Sequence, residues 1–219
     1  ACGDAFGVKV EYFYMLGETN SDVVTGAVAI PEDPGTSVWA EYYGTTEGIA
    51  LRLEKLEQWT GIITMAPEFF REQPGPTFWI FHFQQNSDNL SLTSFSFGTY
   101  GLELLFNGNF VVNTHYAGAA HYRINLSIPA SFGEPVTLVL FHDPQNNLFI
   151  AAGNGTSTVN VSTENQWAAS SGNEDSLMFN GWNNGLNGHM YCVVRGSGRL
   201  TEEQIKSLSI NPYQLLDPT

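Results

Sequence analysis

Basic residues are scarce: the chain has 8 Lys+Arg against 22 Asp+Glu, a formal net charge of −14. An acidic field repels phosphate, so neither nucleic acid nor an anionic membrane surface is expected as a partner. Charged residues of both signs make up only 14% of the chain, while aromatics reach 13%. That balance excludes a coiled coil and a disordered chain, and it suits a β-rich globular domain. Cysteine is nearly absent. Cys2 and Cys192 are too few for a disulfide framework and have no Cys or His partner at zinc spacing, so both are read as free thiols. Long apolar runs are missing too. The best candidate, Phe78-Trp79-Ile80-Phe81-His82-Phe83, has the length of a strand, far short of the ~18 residues of a membrane helix. The opening Ala-Cys-Gly-Asp shows neither the basic nor the apolar region of a secretory signal.

What is present is strand rhythm. Tyr122, Ile124, Leu126 and Ile128 alternate with polar residues, the period of a half-buried strand. Val136 to Phe141 is continuously apolar, as in a strand covered on both faces. Leu102 to Phe106 and Phe110 to Val112 flank Asn107-Gly108, a tight hairpin signal because Asn-Gly supplies positive φ. Further strands are predicted at 8–15, 23–30, 49–53, 62–65, 78–83, 92–97, 148–152, 158–161 and 189–194. One helix is signalled. Thr201 and Gln204 form a capping box, Leu200 and Ile205 stand at staple spacing, and Glu202 and Glu203 complement the helix dipole before Pro212 ends the segment. No linker or repeat divides the 219 residues, so a single domain is expected, with 1–45 as a candidate N-terminal anchoring or extension segment.

The C-terminal segment carries a family resemblance. His189-Met190-Tyr191-Cys192-Val193-Val194-Arg195 leads through Gly198-Arg199-Leu200-Thr201-Glu202-Glu203-Gln204-Ile205 to Asn211-Pro212-Tyr213-Gln214-Leu215. This resembles the ending of concanavalin A-like, laminin-G-type jelly-roll domains, in which the last strand runs into a capped helix. The final Asn-Pro-Tyr-Gln-Leu is similar to a tail frequent in tailed-phage versions of that domain. Phe179-Asn180-Gly181-Trp182 matches the strand end such domains carry upstream. The resemblance implies an all-β, concanavalin A-like β-sandwich (jelly roll) of two antiparallel sheets with one short C-terminal helix. It also implies a phage structural protein, although fold by itself assigns no function.

Chemistry is sparse in the pattern. A retaining glycosidase on this fold needs two carboxylates about 5 Å apart, and no Glu-x-Asp-x-x-Glu run supplies them. Glu54 and Glu57 fall on opposite faces of a strand, and Glu103 stands alone among apolar neighbours. His82, His115, His121, His142 and His189 have no metal-site spacing. No cofactor is expected; calcium, through Asp143 or Asp175, is the nearest candidate. Asp143 to Asn147 reads more simply as a turn. No Gly-x-Ser-x-Gly elbow is present. For a glycan, the best candidates are Trp182, Asn183 and Asn184, with Trp167 and Asn173. Trp39, Tyr42 and Tyr43 form an aromatic cluster suited to a protein interface.

The primary expectation is therefore a non-enzymatic virion surface protein of a tailed bacteriophage. It would decorate a capsid or build a knob or fibre, contacting capsid or tail proteins as a homo-oligomer. The alternative is a lectin-like carbohydrate-binding module for host adsorption.

Overall fold

The computed structural model describes the backbone of residues 3–16, 21–22, 24–25, 30–32, 39–45, 48–54, 61–64, 69, 74–85, 94–97, 102–107, 109–115, 121–129, 133–161, 176–179 and 188–216. Side chains are described for 3–16, 24–25, 69, 74–84, 128, 133–156 and 189–216.

Two antiparallel sheets form the architecture. Among the described residues the larger has nine strands. Its path runs β14 (Thr156–Val161), β13 (Leu148–Gly153), β12 (Pro135–Asp143), β7 (Thr77–Gln85), β16 (Gly188–Ser197), β1 (Lys9–Met15) and β2 (Ser21–Asp22). Beyond β1, the same edge of β16 pairs with β5 (Gly48–Glu54), which in turn holds β4 (Trp39–Thr45). The seven-stranded sheet orders β11 (His121–Pro129), β10 (Asn109–His115), β9 (Leu102–Asn107), β8 (Ser94–Phe97), β15 (Ser176–Phe179), β6 (Gly61–Thr64) and β3 (Ile30–Glu32). Leu102–Asn107 and Asn109–His115 pair antiparallel, the predicted hairpin partners, with Phe106 opposite Phe110 and Asn107 opposite Asn109.

Residues 9–15, which the sequence groups with the candidate extension, form a strand inside the larger sheet, and Val10 and Phe13 are in the core. The strand expected over 23–30 is corrected. Val24 and Thr25 are in a turn and Ile30 opens β3; residues 23 and 26–29 lie outside the described residues.

Both faces of the larger sheet are covered, which explains the unbroken apolar run in β12. On one face Phe78 and Ile80 of β7, Val139 and Phe141 of β12, and Val194 of β16 pack beneath Ile205 and Leu208. Those two residues belong to the helix α1 (Glu202–Ile210). The other face meets the second sheet: Ile128 of β11 lies so close to Gly153 of β13 that a Cβ there would sit 2.7 Å from the Ile128 Cγ2. Only glycine permits that approach.

The capping box is formed as predicted. Gln204 N–H donates to the Thr201 hydroxyl, and the Gln204 side chain accepts from Thr201 N–H at 2.8 Å. Leu200 and Ile205 are both buried, as a staple demands. The far end explains the Asn-Pro-Tyr-Gln-Leu tail. Pro212 disfavours helical geometry at Asn211, which is extended (φ −145°, ψ 101°). A 3₁₀ turn, Pro212–Leu216, follows, and the Gln214 amide donates to the carbonyls of Ser207 and Asn211. One of those is a carbonyl the helix end leaves unpaired.

Candidate functional site

Among the described residues three groups of polar or aromatic side chains stand out, and two of them are already committed to internal partners. Asp143 is 1% exposed at the end of β12. Its carboxylate accepts from the Arg199 guanidinium at 2.9 Å, the Asn146 amide at 2.7 Å and Gln145 N–H at 3.1 Å. Burial pushes its pKa up, but the Asn146 and Arg199 hydrogen bonds and the Arg199 charge outweigh it and hold the group below the usual carboxylate value. The group clamps the turn 144–147 to Arg199, two residues before the helix cap. Glu11, at a bulge in β1, faces Arg195 Nε at 3.3 Å and accepts from the Ser197 hydroxyl at 3.0 Å. Carboxylates held this way are poor general acids or bases. Beside this pair, Tyr12 and Tyr14 stack with centroids 6.2 Å apart against Phe69, whose carbonyl accepts from the Trp79 indole.

The third group is the candidate site. It lies on the α1-covered face of the larger sheet, where the helix no longer reaches and apolar residues give way to polar ones. His82 of β7 shares a 2.9 Å hydrogen bond through Nδ1 with the Thr137 hydroxyl of β12. Its ring centroid is 4.8 Å from that of Tyr191 and 5.9 Å, edge-on, from that of Tyr213. Tyr191 sits at a bulge in β16, and its hydroxyl donates to Gln84 at 3.0 Å. The His189 ring is 6.3 Å from Tyr191. Burial drives His82 down to about 4, against a backbone hydrogen bond involving Val136 that acts the other way. At neutral pH the ring is therefore uncharged.

Register extends this row across the sheet. Gln84 pairs with His189, His189 with Arg52 of β5, and Arg52 with Glu41 of β4. Directly paired residues share a face. Trp39, Tyr42 and Tyr43, the predicted interface aromatics, lie on β4 opposite Glu54, Leu51 and Ala50 of β5. Trp167, Asn173, Trp182, Asn183 and Asn184, the predicted glycan residues, lie outside the described residues, as does Asp175. Glu54 pairs with Trp39, Glu103 pairs with Asn113 and Ser96, and Glu57 lies outside the described residues. Among the described residues no three His, Cys, Asp or Glu come together as a metal-ligand set. The histidine cluster escaped sequence reasoning because its members are 107 residues apart and have no motif spacing.

No protein-family model matches the chain, and no curated protein matches it. Solved structures do. Domain 4 of AbnA, a GH43 extracellular arabinanase from Geobacillus stearothermophilus, solved with arabinotriose, is similar over 92% of this chain and 98% of its own. The TM-score is 0.69 at 16% identity. The binding domain of botulinum neurotoxin DC, solved with rat synaptotagmin II, is similar over 95% of this chain and 52% of its own, with TM-score 0.67 and 11% identity. The Ruminococcus gnavus IT-sialidase CBM40 bound to α2,3 sialyllactose covers 62% of this chain and 82% of its own, with TM-score 0.51 and 12% identity. The fold is accordingly a jelly-roll β-sandwich of two antiparallel sheets with one C-terminal helix.

Proposed function

We propose that this domain is a non-catalytic carbohydrate-binding module. The observation that carries the reading is the end-to-end likeness to the arabinanase domain solved with arabinotriose, supported by the shorter likeness to a sialyllactose-bound CBM40. The non-catalytic part rests on Glu11 and Asp143, whose carboxylates are engaged by Arg195 and Arg199, and on the absence of paired-carboxylate spacing in the sequence. With a net charge of −14, neutral glycans are favoured over acidic ones. Trp182 is the proposed stacking platform, with Trp167, Asn173, Asn183 and Asn184 around it.

The test is a glycan array of neutral plant and bacterial oligosaccharides probed with the wild type and with Trp182→Ala. Binding by the wild type that Trp182→Ala abolishes supports the reading. A wild type that binds nothing on the array overturns it.

A virion surface role ranks second and rests on the phage-like Asn-Pro-Tyr-Gln-Leu ending. It would use Trp39, Tyr42 and Tyr43 of β4, which pairs with β5 and with no other described strand, against a capsid or tail protein. A stable homo-oligomer by light scattering, indifferent to sugars, would bring this reading to the front. A monomer that binds sugars would remove it.

A further inference from the structure

The chain contains five Asn-Gly steps, at 107, 154, 180, 184 and 187. Such steps are chemically weak, because glycine leaves its backbone nitrogen unhindered. That nitrogen attacks the asparagine side-chain carbon, forming an N–Cγ bond. The Cγ–Nδ2 bond breaks, and ammonia leaves carrying the glycine proton. Water then opens the succinimide to aspartate or isoaspartate.

Asn154-Gly155 forms the two-residue turn between β13 and β14, with φ of 48° and 81°, Asn154 exposed and Gly155 half-buried. By position it should be a vulnerable step. Its nucleophile, however, is occupied: Gly155 N–H donates to the Ser209 hydroxyl at 2.9 Å. Ser209 is fully buried in the last turn of α1, and its own hydroxyl proton goes to the Lys206 carbonyl at 2.8 Å. The hydroxyl is therefore oriented to accept, and it cannot turn away without breaking a second bond. The Asn154 carboxamide is held as well, accepting from Thr137 N–H at 3.4 Å. Ile210 closes over Gly155, with its Cδ1 3.3 Å from where a Cβ would stand.

We propose that Asn154 is a latent deamidation site whose rate is set by the Ser209 hydroxyl. While the end of α1 is docked, the Gly155 nitrogen is held away from reaction. When the helix end lifts, the step converts as an open Asn-Gly does.

The experiment ages the full chain at mildly alkaline pH and follows each Asn-Gly step by peptide mass mapping, with isoaspartate counted separately. In the wild type, Asn154 should convert more slowly than in an unfolded synthetic peptide spanning 150–160. Ser209→Ala should speed conversion at Asn154 by about three- to tenfold, the kinetic equivalent of one lost hydrogen bond, and leave the other steps unchanged. Ile205→Val, chosen to lower stability without touching Ser209, is the control for general loosening. Equal conversion at Asn154 in wild type and Ser209→Ala would overturn the proposal. So would acceleration by Ile205→Val as large as that by Ser209→Ala at matched stability.

Discussion

The His82 imidazole on β7 and the Thr137 hydroxyl on β12 are hydrogen-bonded at 2.9 Å between two adjacent strands of the larger sheet. The other ring nitrogen, Nε2, is buried without a hydrogen-bond partner among the described residues. A ring so placed tolerates being neutral far better than being charged.

That asymmetry sets a pH dependence. His82 and His142 are both driven from 6.5 to about 4, chiefly by burial; the Asp143 charge opposes the shift at His142. Between pH 6.5 and 4 the unfolded chain binds protons at these positions and the folded chain does not. Stability is therefore complete above pH 6.5 and falls as pH drops towards 4, by at most about 3 kcal/mol per histidine. Urea midpoints at pH 7.5, 5.5 and 4.5 should fall in that order, and His82→Gln should flatten the slope. A midpoint constant across that range would contradict the assignment.

The Asp143 cluster acts below that window. Its folded pKa is depressed, so its stabilisation is present above the usual Asp value and is lost as pH falls through the lowered one. Arg199 is 68% exposed. Water therefore screens its contribution, and Arg199→Ala should cost about 1 kcal/mol at neutral pH. Asn146→Ala added to it leaves the buried carboxylate with backbone N–H donors alone on that turn, so the double variant should lose more than Arg199→Ala alone. Equal thermal midpoints for wild type and double variant would refute this account.

Two glycines mark where backbones cannot separate. A methyl group at Gly196 would collide with the Phe78 ring and approach the Lys9 carbonyl at 2.7 Å. At Gly153 it would strike Ile128 of the opposing sheet. Gly196→Ala and Gly153→Ala should each destabilise by roughly 1–3 kcal/mol, the usual cost of overpacking. Denaturant melts of the purified variants measure it. If either matched the wild type, the close approach would be wrong at that site.

Cys192 is a free thiol with no exposed surface, pushed up to about 12 by burial, with a hydrogen bond to Tyr213 acting the other way. In a Cys2→Ser background it should resist maleimide in native buffer and react fully in urea. Rapid native labelling would mean that the core beneath Tyr213 opens readily.

Local rules were the legible part. The Thr201 cap, the Asn107-Gly108 hairpin and the apolar run of β12 each draw on a few neighbouring residues, and each is present in the structure. Leu177 and Met178 of β15 went unread because four residues between Gly- and Asn-rich stretches carry too little periodicity to register. The His82, Tyr191 and Gln84 cluster was invisible for the opposite reason: its neighbours come from distant strands whose pairing no local signal declares. The role of Gln214, which closes the helix end, reads as a family tail in sequence and becomes a hydrogen-bonding reason only in three dimensions.

Gly3 N–H donates to the Leu215 carbonyl at 2.8 Å, so residues 3 and 215 are neighbours in space. A host polypeptide could enter and leave this domain at a single point, as through a doorway, without stretching either sheet. The domain is therefore suited to insertion as a cassette into a surface loop of an unrelated protein. It is equally suited to permutation, with residues 3 and 215 joined and new ends cut at the exposed turn 144–147.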